Sequence, residues 1–279
     1  MSHEMVTSQN VLLPDVVLAA DCGEIATPAE TSLIADTGEL PRPRLRQALR
    51  YVAIARPHHY AKNVLMLVGA ALACVYQPNL LTDKLLLLFG FVATCIIASS
   101  NYVLNEILDA DSDKFHFSKG DRPIAAGYIS PAIAYREWLI LGAAGLSIAA
   151  WIGWSFFVVA IAFQLMAILY NVPPLRLKDL PYLDVLSEAV NSPLRLLLGW
   201  LIVLPSEFPS LSIVFAFWMA GSFEMARKRF KEYRHFRDRS KAAGYRKSFA
   251  HYNERRLKVS MAIYALFAVI ISVSEVWKL

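Results

Sequence analysis

Long runs of apolar residues, separated by short polar segments, recur along the chain from residue 63 onward. Each run has about 20 mainly apolar residues, which is enough for a helix to cross a hydrocarbon core about 30 Å thick. The pattern therefore predicts an all-α, polytopic integral membrane bundle with about seven transmembrane helices. The predicted spans are residues 63–80, 85–104, 131–150, 153–170, 184–204, 211–226 and 257–275.

The composition agrees with this pattern. Of the 279 residues, 56% are hydrophobic and 18% are charged, and the mean hydropathy is +0.41. A soluble domain usually carries about 25% charged residues. The spans leave little room for a separate soluble domain, and the three cysteines lack the spacing of a metal or redox site.

The first 40 residues differ from the rest of the chain. They contain seven acids and no Lys or Arg, they show no clear periodicity, and they lack the basic start of a secretory signal. Such a composition is typical of disordered segments. We predict an acidic, disordered tail over residues 1–45, followed by a transmembrane domain over residues 46–279.

Positive charge is distributed unevenly between the two ends of the predicted spans. Of the 28 Lys and Arg, only Lys84, Arg195 and Lys278 lie outside the region before the first span, the connections after the second, fourth and sixth spans, and the adjoining helix ends. The positive-inside rule places those segments in the cytoplasm and the spans in an inner or plasma membrane. The net charge of +5 thus reflects topology in a lipid bilayer, and we predict no nucleic-acid partner.

An acidic cluster, NEILDADSD, follows the second apolar run at residues 105–113. Asn105, Asp109 and Asp113 are spaced four apart, so on a helix they share one face, with Glu106 and Asp111 beside it. Like charges at this spacing repel. A cation such as Mg²⁺, which bridges carboxylates and substrate phosphates, would compensate them. The alternative interpretation is a solvated acidic helix end.

Cationic side chains follow this cluster within ten residues. His116, Lys119 and Arg122 lie in the segment KFHFSKGDRP. Carboxylates that hold a metal, together with nearby cations, neutralise a diphosphate as it leaves. The two segments together therefore suggest a diphosphate site.

The acidic cluster resembles the N-D-x-x-D-x-x-x-D signature of the UbiA prenyltransferase superfamily, with Glu106 in place of the first Asp. Arg56-Pro57 with Lys62-Asn63 is similar to the opening R-P-x-x-x-x-K-N pattern of that superfamily. The resemblance implies a membrane bundle, normally of nine helices, in which Glu106, Asp109 and Asp113 hold Mg²⁺.

Several further segments resemble the decaprenyl-phosphate phosphoribosyltransferase branch. They are His116-x-x-Lys119-x-x-Arg122-Pro123-Ile124-Ala125-Ala126-Gly127, Lys228-Arg229-x-x-Glu232, Arg246-Lys247-Ser248 with Tyr252, and Lys178, Asp184 and Arg195. Phe117, Gly120 and Asp121 depart from the pattern of the branch. An aspartate motif that aromatic prenyltransferases carry after the sixth span is replaced here by a basic segment.

The resemblance implies a transferase acting on a polyprenyl phosphate or diphosphate and a polar co-substrate, with magnesium-assisted release of diphosphate. The favoured version moves phosphoribose from phosphoribosyl diphosphate to a polyprenyl phosphate. The alternatives are prenyl transfer to an aromatic acceptor such as 4-hydroxybenzoate and, more distantly, a membrane transporter. The implied catalytic residues are Asp109, Asp113, Lys119 and Arg122. The implied substrate-binding residues are Lys62, Asn63, Asn105, His116, Lys178, Asp184, Arg195, Lys228, Arg229, Glu232, Lys247 and Tyr252.

Some of these charges also have a simpler interpretation. The basic segment after the sixth span is typical of a solvated positive-inside loop. Glu188 and Arg195 are seven apart within the fifth span, so an internal ion pair is possible between them. The sequence NSP at residues 191–193 predicts a local opening of the helix between the two.

Overall fold

The structure is a computed structural model that describes residues 43–78, 83–114, 119–236 and 246–277. The contacts divide the chain into two units, Met1–Ala53 and Ile54–Leu279. In the first unit, the described part is the start of helix α1 (Pro43–Ala55). The predicted disordered tail lies almost entirely outside the described residues. Apart from this helix, the features below belong to the second unit.

This second unit is built from helices, and its described residues contain no strand. A 3₁₀ helix (Pro57–Asn63) leads directly into the first long helix of the bundle. The α-helices that follow are α2 (Val64–Tyr76), α3 (Lys84–Asp113), α4 (Pro131–Ile152), α5 (Trp154–Asn171), α6 (Leu183–Ala189), α7 (Asn191–Val203), α8 (Leu211–His235) and α9 (Glu254–Val276). Short 3₁₀ helices at Leu177–Asp179 and Lys247–Ala250 lie in the connections.

The prediction of an all-α bundle with about seven membrane helices is confirmed. Among the described residues, five helical segments are long and apolar enough to cross a membrane. They are Leu45–Tyr76, Lys84–Asp113, Pro131–Ile152, Trp154–Asn171 and Glu254–Glu275. The predicted fifth span is divided into α6 and α7 at Val190, next to the NSP sequence. The predicted sixth span is the apolar first half of α8, whose charged second half continues to His235.

Helix α3 determines where the acidic cluster lies. It begins at a capped N-terminus, because Oδ1 of Asp83 accepts a hydrogen bond from the backbone N–H of Leu85 at 2.8 Å. The helix has 30 residues and is therefore about 45 Å long. Because this length exceeds the hydrocarbon thickness of about 30 Å, the last turns, which carry Asp109 and Asp113, can lie beyond the hydrocarbon core.

Helices α2 and α7 cross at unusually short range. A Cβ atom added to Gly199 would lie 1.7 Å from the carbonyl oxygen of Met66, and one added to Gly69 would lie 2.0 Å from that of Leu196. In both cases the obstructing atom belongs to the backbone, which cannot move aside as a side chain can. Small residues at such crossings let membrane helices pack closely.

We predict that Gly199→Ala destabilises the bundle by about 1–3 kcal/mol, because the new methyl group forces the two backbones apart. Thermal unfolding in detergent, followed by tryptophan fluorescence, measures this loss. Gly142→Ala is the milder comparison, since the atom nearest to its new methyl group would be the Ser100 hydroxyl, a side-chain atom at the longer distance of 3.2 Å. Equal melting temperatures for wild type and Gly199→Ala would contradict the packing described here.

Candidate active site

A cavity of about 410 Å³ lies at the C-terminal end of α3. The connection after α5 and the segment that begins at Arg246 form its other walls. The lining residues are Asp109, Ser112, Asp113, Lys119, Pro173, Arg176, Lys178, Asp179, Arg246 and Lys247. Sequence positions more than 130 residues apart therefore meet at one site, and all four residues predicted as catalytic lie in it or beside it.

Asp109 is held by one neighbour on its own helix and by two cations from the connection after α5. Asn105 donates from Nδ2 to Oδ2 of Asp109 at 3.0 Å, along the predicted helix face. Lys178 donates from Nζ to Oδ1, and Nη2 of Arg176 lies 3.6 Å from the same oxygen. The repulsion expected along the acidic face is therefore compensated from a different segment of the chain.

Lys178 reaches Asp109 because the chain turns sharply after α5. The sequence Val172-Pro173-Pro174 ends the helix, since proline lacks a backbone N–H and cannot continue the helical hydrogen bonds. The backbone N–H of Arg176 then donates to the carbonyl of Val172 at 2.9 Å. Nζ of Lys178 also donates to Oδ1 of Asn171, at 2.9 Å, so the ammonium group is fixed between two helix ends.

Asp113 is paired with a cation from the connection after α3. Nη1 of Arg122 donates to its Oδ2, and the carboxylate is almost fully buried. The backbone N–H of Ala126 donates to the carbonyl of Arg122 at 2.8 Å, so Arg122 belongs to an ordered turn. Arg122 does not line the cavity but borders it through Asp113.

The donor set of the cavity suits magnesium that arrives with a phosphorylated ligand. Across the part of the chain that the structure describes, no three His, Cys, Asp or Glu side chains gather into a complete metal site. Mg²⁺ usually takes only one or two protein carboxylates and completes its shell with water and substrate phosphates. Asp109 and Asp113, both on the cavity wall, provide such a pair.

Two lysines on the cavity wall have depressed basicity. Burial lowers the pKa of Lys119 to about 8, although the Glu232 carboxylate opposes the shift. Burial likewise lowers the pKa of Lys178, against the effect of Asp109. Near neutral pH, Lys119 is therefore mostly protonated and loses its charge within the mildly alkaline range.

Arg246 and Lys247 are neighbours with very different environments. The Arg246 side chain is 14% exposed, and its Nη1 donates to the hydroxyl of Tyr170 at 3.1 Å. The Lys247 side chain is 80% exposed and forms an ion pair with Asp179 at 3.3 Å. Lys247 was predicted as a site residue and Arg246 was not, because a run of adjacent basic residues does not indicate which one points inward.

Asp184 and Arg229, both predicted to bind substrate, are fully buried and do not line the cavity. Nε of Arg229 donates to Oδ2 of Asp184 at 3.1 Å, and its other nitrogens donate to Glu188 and, at 3.0 Å, to Glu232. Asp184 also accepts hydrogen bonds from the hydroxyls of Ser248 and Tyr252. This network joins α6, α8 and the segment that carries Arg246.

Arg195 also differs from the expectation of an ion pair with Glu188. Its Nε donates to Oδ1 of Asn63 at 2.8 Å, and its guanidinium lies 4.8 Å from the ring centre of Phe163. Glu188 pairs instead with Arg229 and, at 3.3 Å, with Lys228. The break between α6 and α7, which the NSP sequence predicted, separates the two charges.

Three further predicted site residues do not line the cavity, namely Lys62, Asn63 and Glu106. Asn63 is buried at the start of α2, next to the exposed Lys62. Glu106 forms an ion pair with Arg56 at 2.8 Å. His116 lies outside the described residues.

The sequence of the chain matches a known family over most of its length. The model of the UbiA prenyltransferase family covers residues 64–279. The chain belongs to this family. The predicted resemblance is therefore confirmed, and the protein is an integral membrane protein.

The relatives of this UbiA family member match only in part. The chain is 31% identical to the uncharacterized protein y4nM of Sinorhizobium fredii over 52% of its own length and 27% of that protein. It is 33% identical to the nodulation protein NoeC of Azorhizobium caulinodans over 44% of its length and 39% of the relative. It is 32% identical to the decaprenyl-phosphate phosphoribosyltransferase of Mycolicibacterium smegmatis over 36% of its length and 32% of that enzyme. The chain thus spans less than two fifths of each of these curated relatives.

Solved structures agree with the family assignment at the level of the fold. A UbiA homolog from Archaeoglobus fulgidus, bound to GPP and Mg²⁺, matches with a TM-score of 0.66 at 22% identity. The match covers 80% of this chain and 76% of the homolog. A digeranylgeranylglyceryl phosphate synthase matches with a TM-score of 0.62 at 16% identity, over 83% and 78% of the two chains.

We predict that binding of magnesium diphosphate weakens by about tenfold between pH 7 and pH 9, because Lys119 loses its proton above pH 8 in the free protein and is held protonated by the anion. Isothermal titration at several pH values measures this. Lys119→Arg keeps the charge throughout, so the ratio of wild-type to variant affinity should fall with rising pH. A constant ratio would exclude Lys119 from the site.

We also predict unequal effects for the two neighbouring cations on the cavity wall. Arg246→Gln should weaken diphosphate binding by roughly ten- to a hundredfold, because a buried charge-assisted contact is lost. Lys247→Gln, the matched control, should change it less than about threefold, because exposed ion pairs contribute little. The same titration compares them, and an equal loss in both variants would contradict the assignment.

Proposed function

We propose that this protein transfers phosphoribose from phosphoribosyl diphosphate to a polyprenyl phosphate, with release of diphosphate. The observation that carries the proposal is the cavity, where an acidic helix face meets a larger number of cations. Five cationic and three acidic side chains line it. The cations are Lys119, Arg176, Lys178, Arg246 and Lys247, and the acids are Asp109, Asp113 and Asp179.

This charge balance suits a donor that carries phosphate at both ends. The diphosphate would be held at Asp109 and Asp113 through magnesium, and the second phosphate would meet the cations of the opposite wall. The alternative substrates, a polyprenyl diphosphate and an aromatic acceptor, would bring a diphosphate but no second phosphate for these cations, and partly buried charges without a counter-charge are costly. The partial similarity to decaprenyl-phosphate phosphoribosyltransferases of Mycolicibacterium smegmatis and Mycobacterium tuberculosis supports the same donor.

In the proposed reaction, a phosphate oxygen of the polyprenyl phosphate attacks the anomeric carbon of the donor. The bond between that carbon and the diphosphate oxygen breaks, and the diphosphate leaves with the bonding electrons. The attacking phosphate is already an anion, so the step requires no general base. The work of the protein is therefore to orient two anions and to stabilise the charge that develops on the leaving group.

The residues of the cavity divide this work. Asp109 and Asp113 would hold magnesium, which neutralises the departing diphosphate when it is bound. Lys119, Arg176 and Arg246 would contact the phosphate oxygens directly. Lys178 and Arg122 pair with the two aspartates in the free protein, and they would be available to the phosphate oxygens of the ligand if the two carboxylates held a metal.

The polyprenyl chain would lie against the apolar helices, within the hydrocarbon core of the bilayer. We propose that the cavity opens towards the cytoplasm, because its walls come from the positively charged connections and the positive-inside rule assigns those to the cytoplasmic side. A water-soluble donor would then reach the site from the cytoplasm, while the lipid enters from the membrane.

An assay with two donors tests the choice of substrate. Purified protein is incubated with labelled phosphoribosyl diphosphate and polyprenyl phosphate and, separately, with a polyprenyl diphosphate and 4-hydroxybenzoate. We expect a labelled lipid and diphosphate release only in the first reaction. Product in the second reaction alone would replace phosphoribose transfer with the alternative, prenyl transfer to an aromatic acceptor.

We predict that Asp109→Asn lowers the transfer rate by roughly a hundred- to a thousandfold and raises the magnesium concentration that is required, because it removes a carboxylate that would hold magnesium on the leaving group. Asp111→Asn is the matched control from the same motif. The Asp111 side chain is 98% exposed and pairs only with Lys114 among its described neighbours. Equal activity and equal magnesium dependence in both variants would refute the metal site.

A further inference from the structure

Glu106 belongs to the acidic motif, yet its carboxylate contacts residues that do not line the cavity. Its side chain is 1% exposed and does not line the cavity. Oε2 accepts a hydrogen bond from Nη2 of Arg56 at 2.8 Å. Oε1 accepts one from the backbone N–H of Ile124 at 3.4 Å. Both oxygens therefore face partners within the protein.

The first partner, Arg56, has an unusual backbone conformation. It adopts a left-handed conformation, with φ of 51°, immediately before the 3₁₀ helix that starts at Pro57. A residue other than glycine adopts this region only where its surroundings hold it there. The ion pair with Glu106 and the ring of Tyr102, 5.9 Å from the guanidinium carbon, supply those surroundings.

The second partner, Ile124, lies in the turn that carries Arg122. Within this turn, the backbone N–H of Tyr128 donates to the carbonyl of Pro123 at 2.8 Å. Arg122 precedes Ile124 by two residues and donates to Asp113. A contact at Ile124 therefore fixes the turn against α3 at a point close to the carboxylate that we propose for magnesium.

We infer that Glu106 is a positioning residue, which fixes the Arg56 backbone and the Arg122 turn against α3, and that it is not a magnesium ligand. The inference rests on the proposed function, since the site that Glu106 positions is the proposed magnesium diphosphate site. It replaces our prediction that Glu106, Asp109 and Asp113 bind the metal together. It also gives a reason for the glutamate, because an aspartate is shorter by one methylene, about 1.5 Å, and would fall short of Arg56.

The two roles predict different results for variants that change the charge or the length of the Glu106 side chain. A metal ligand needs a carboxylate, so Glu106→Asp would be mild and Glu106→Gln severe, with a higher magnesium requirement. A positioning residue needs both charge and reach. Glu106→Asp and Glu106→Gln should then weaken diphosphate binding to a similar extent, roughly five- to tenfold, because removing one partner of a buried ion pair leaves the other uncompensated. The magnesium concentration for half-maximal binding should stay within about twofold of wild type.

The experiment titrates diphosphate and magnesium into the full-length protein in detergent by calorimetry, with Asp109→Asn as the reference for a lost metal ligand. Arg56→Gln removes the other half of the pair from outside the motif. It should reproduce the effect of Glu106→Gln, and the double variant should lose no more than the single ones, because the two changes break the same contact.

A tenfold rise in the magnesium requirement of Glu106→Gln, together with wild-type behaviour of Arg56→Gln, would overturn the inference and restore Glu106 to the metal site. If the Glu106 variants do not fold, Arg56→Gln alone decides between the same two results. Wild-type protein that binds magnesium diphosphate but transfers no phosphoribose would refute the proposed substrate and leave this inference intact. Wild-type protein that does not bind magnesium diphosphate would refute both.

Discussion

The contact between Asp109 and Lys178 is the interaction on which the site depends. Carboxylates four residues apart on a helix repel one another, so the acidic end of α3 is stable only when cations from elsewhere are brought to it. Lys178 is brought there by the turn that follows α5, and Arg122 reaches Asp113 from the turn that follows α3. The folded bundle thereby holds carboxylates and cations in close contact around a cavity.

The same requirement explains the buried network behind the cavity. Arg229 is fully buried among Asp184, Glu188 and Glu232, and a charge at such a place is tolerated only when it is paired and hydrogen-bonded. The network ties α6 and α8 to the chain around Ser248 and Tyr252. Arg246 stands at its edge and is exposed to the cavity. Arg246 is linked to the network through Tyr170 and through Asp184, at 3.6 Å, and it also lines the cavity.

Sequence patterns predicted the bundle and the acidic face, because apolar run length and the spacing of four residues are local properties of one helix. Asp109, Asp113, Lys119 and Lys178 all line one cavity, and their catalytic and binding roles stay predictions. Patterns could not show that Asp184 and Arg229 pair with each other in the interior, or that Arg246 points inward while Lys247 points outward. They also could not reveal the contact between Glu106 and Arg56. Those contacts depend on which distant segments meet, and the spacing of residues within one segment carries no information about that.

A structure of the protein with Mn²⁺ and diphosphate, in which anomalous scattering locates the metal, would show directly whether the end of α3 binds a metal diphosphate. We expect a metal about 2 Å from carboxylate oxygens of Asp109 and Asp113, with the diphosphate bound against Lys119, Arg176 and Arg246. A metal and a diphosphate bound elsewhere, with Asp109 still paired to Lys178 and Asp113 to Arg122, would contradict this expectation.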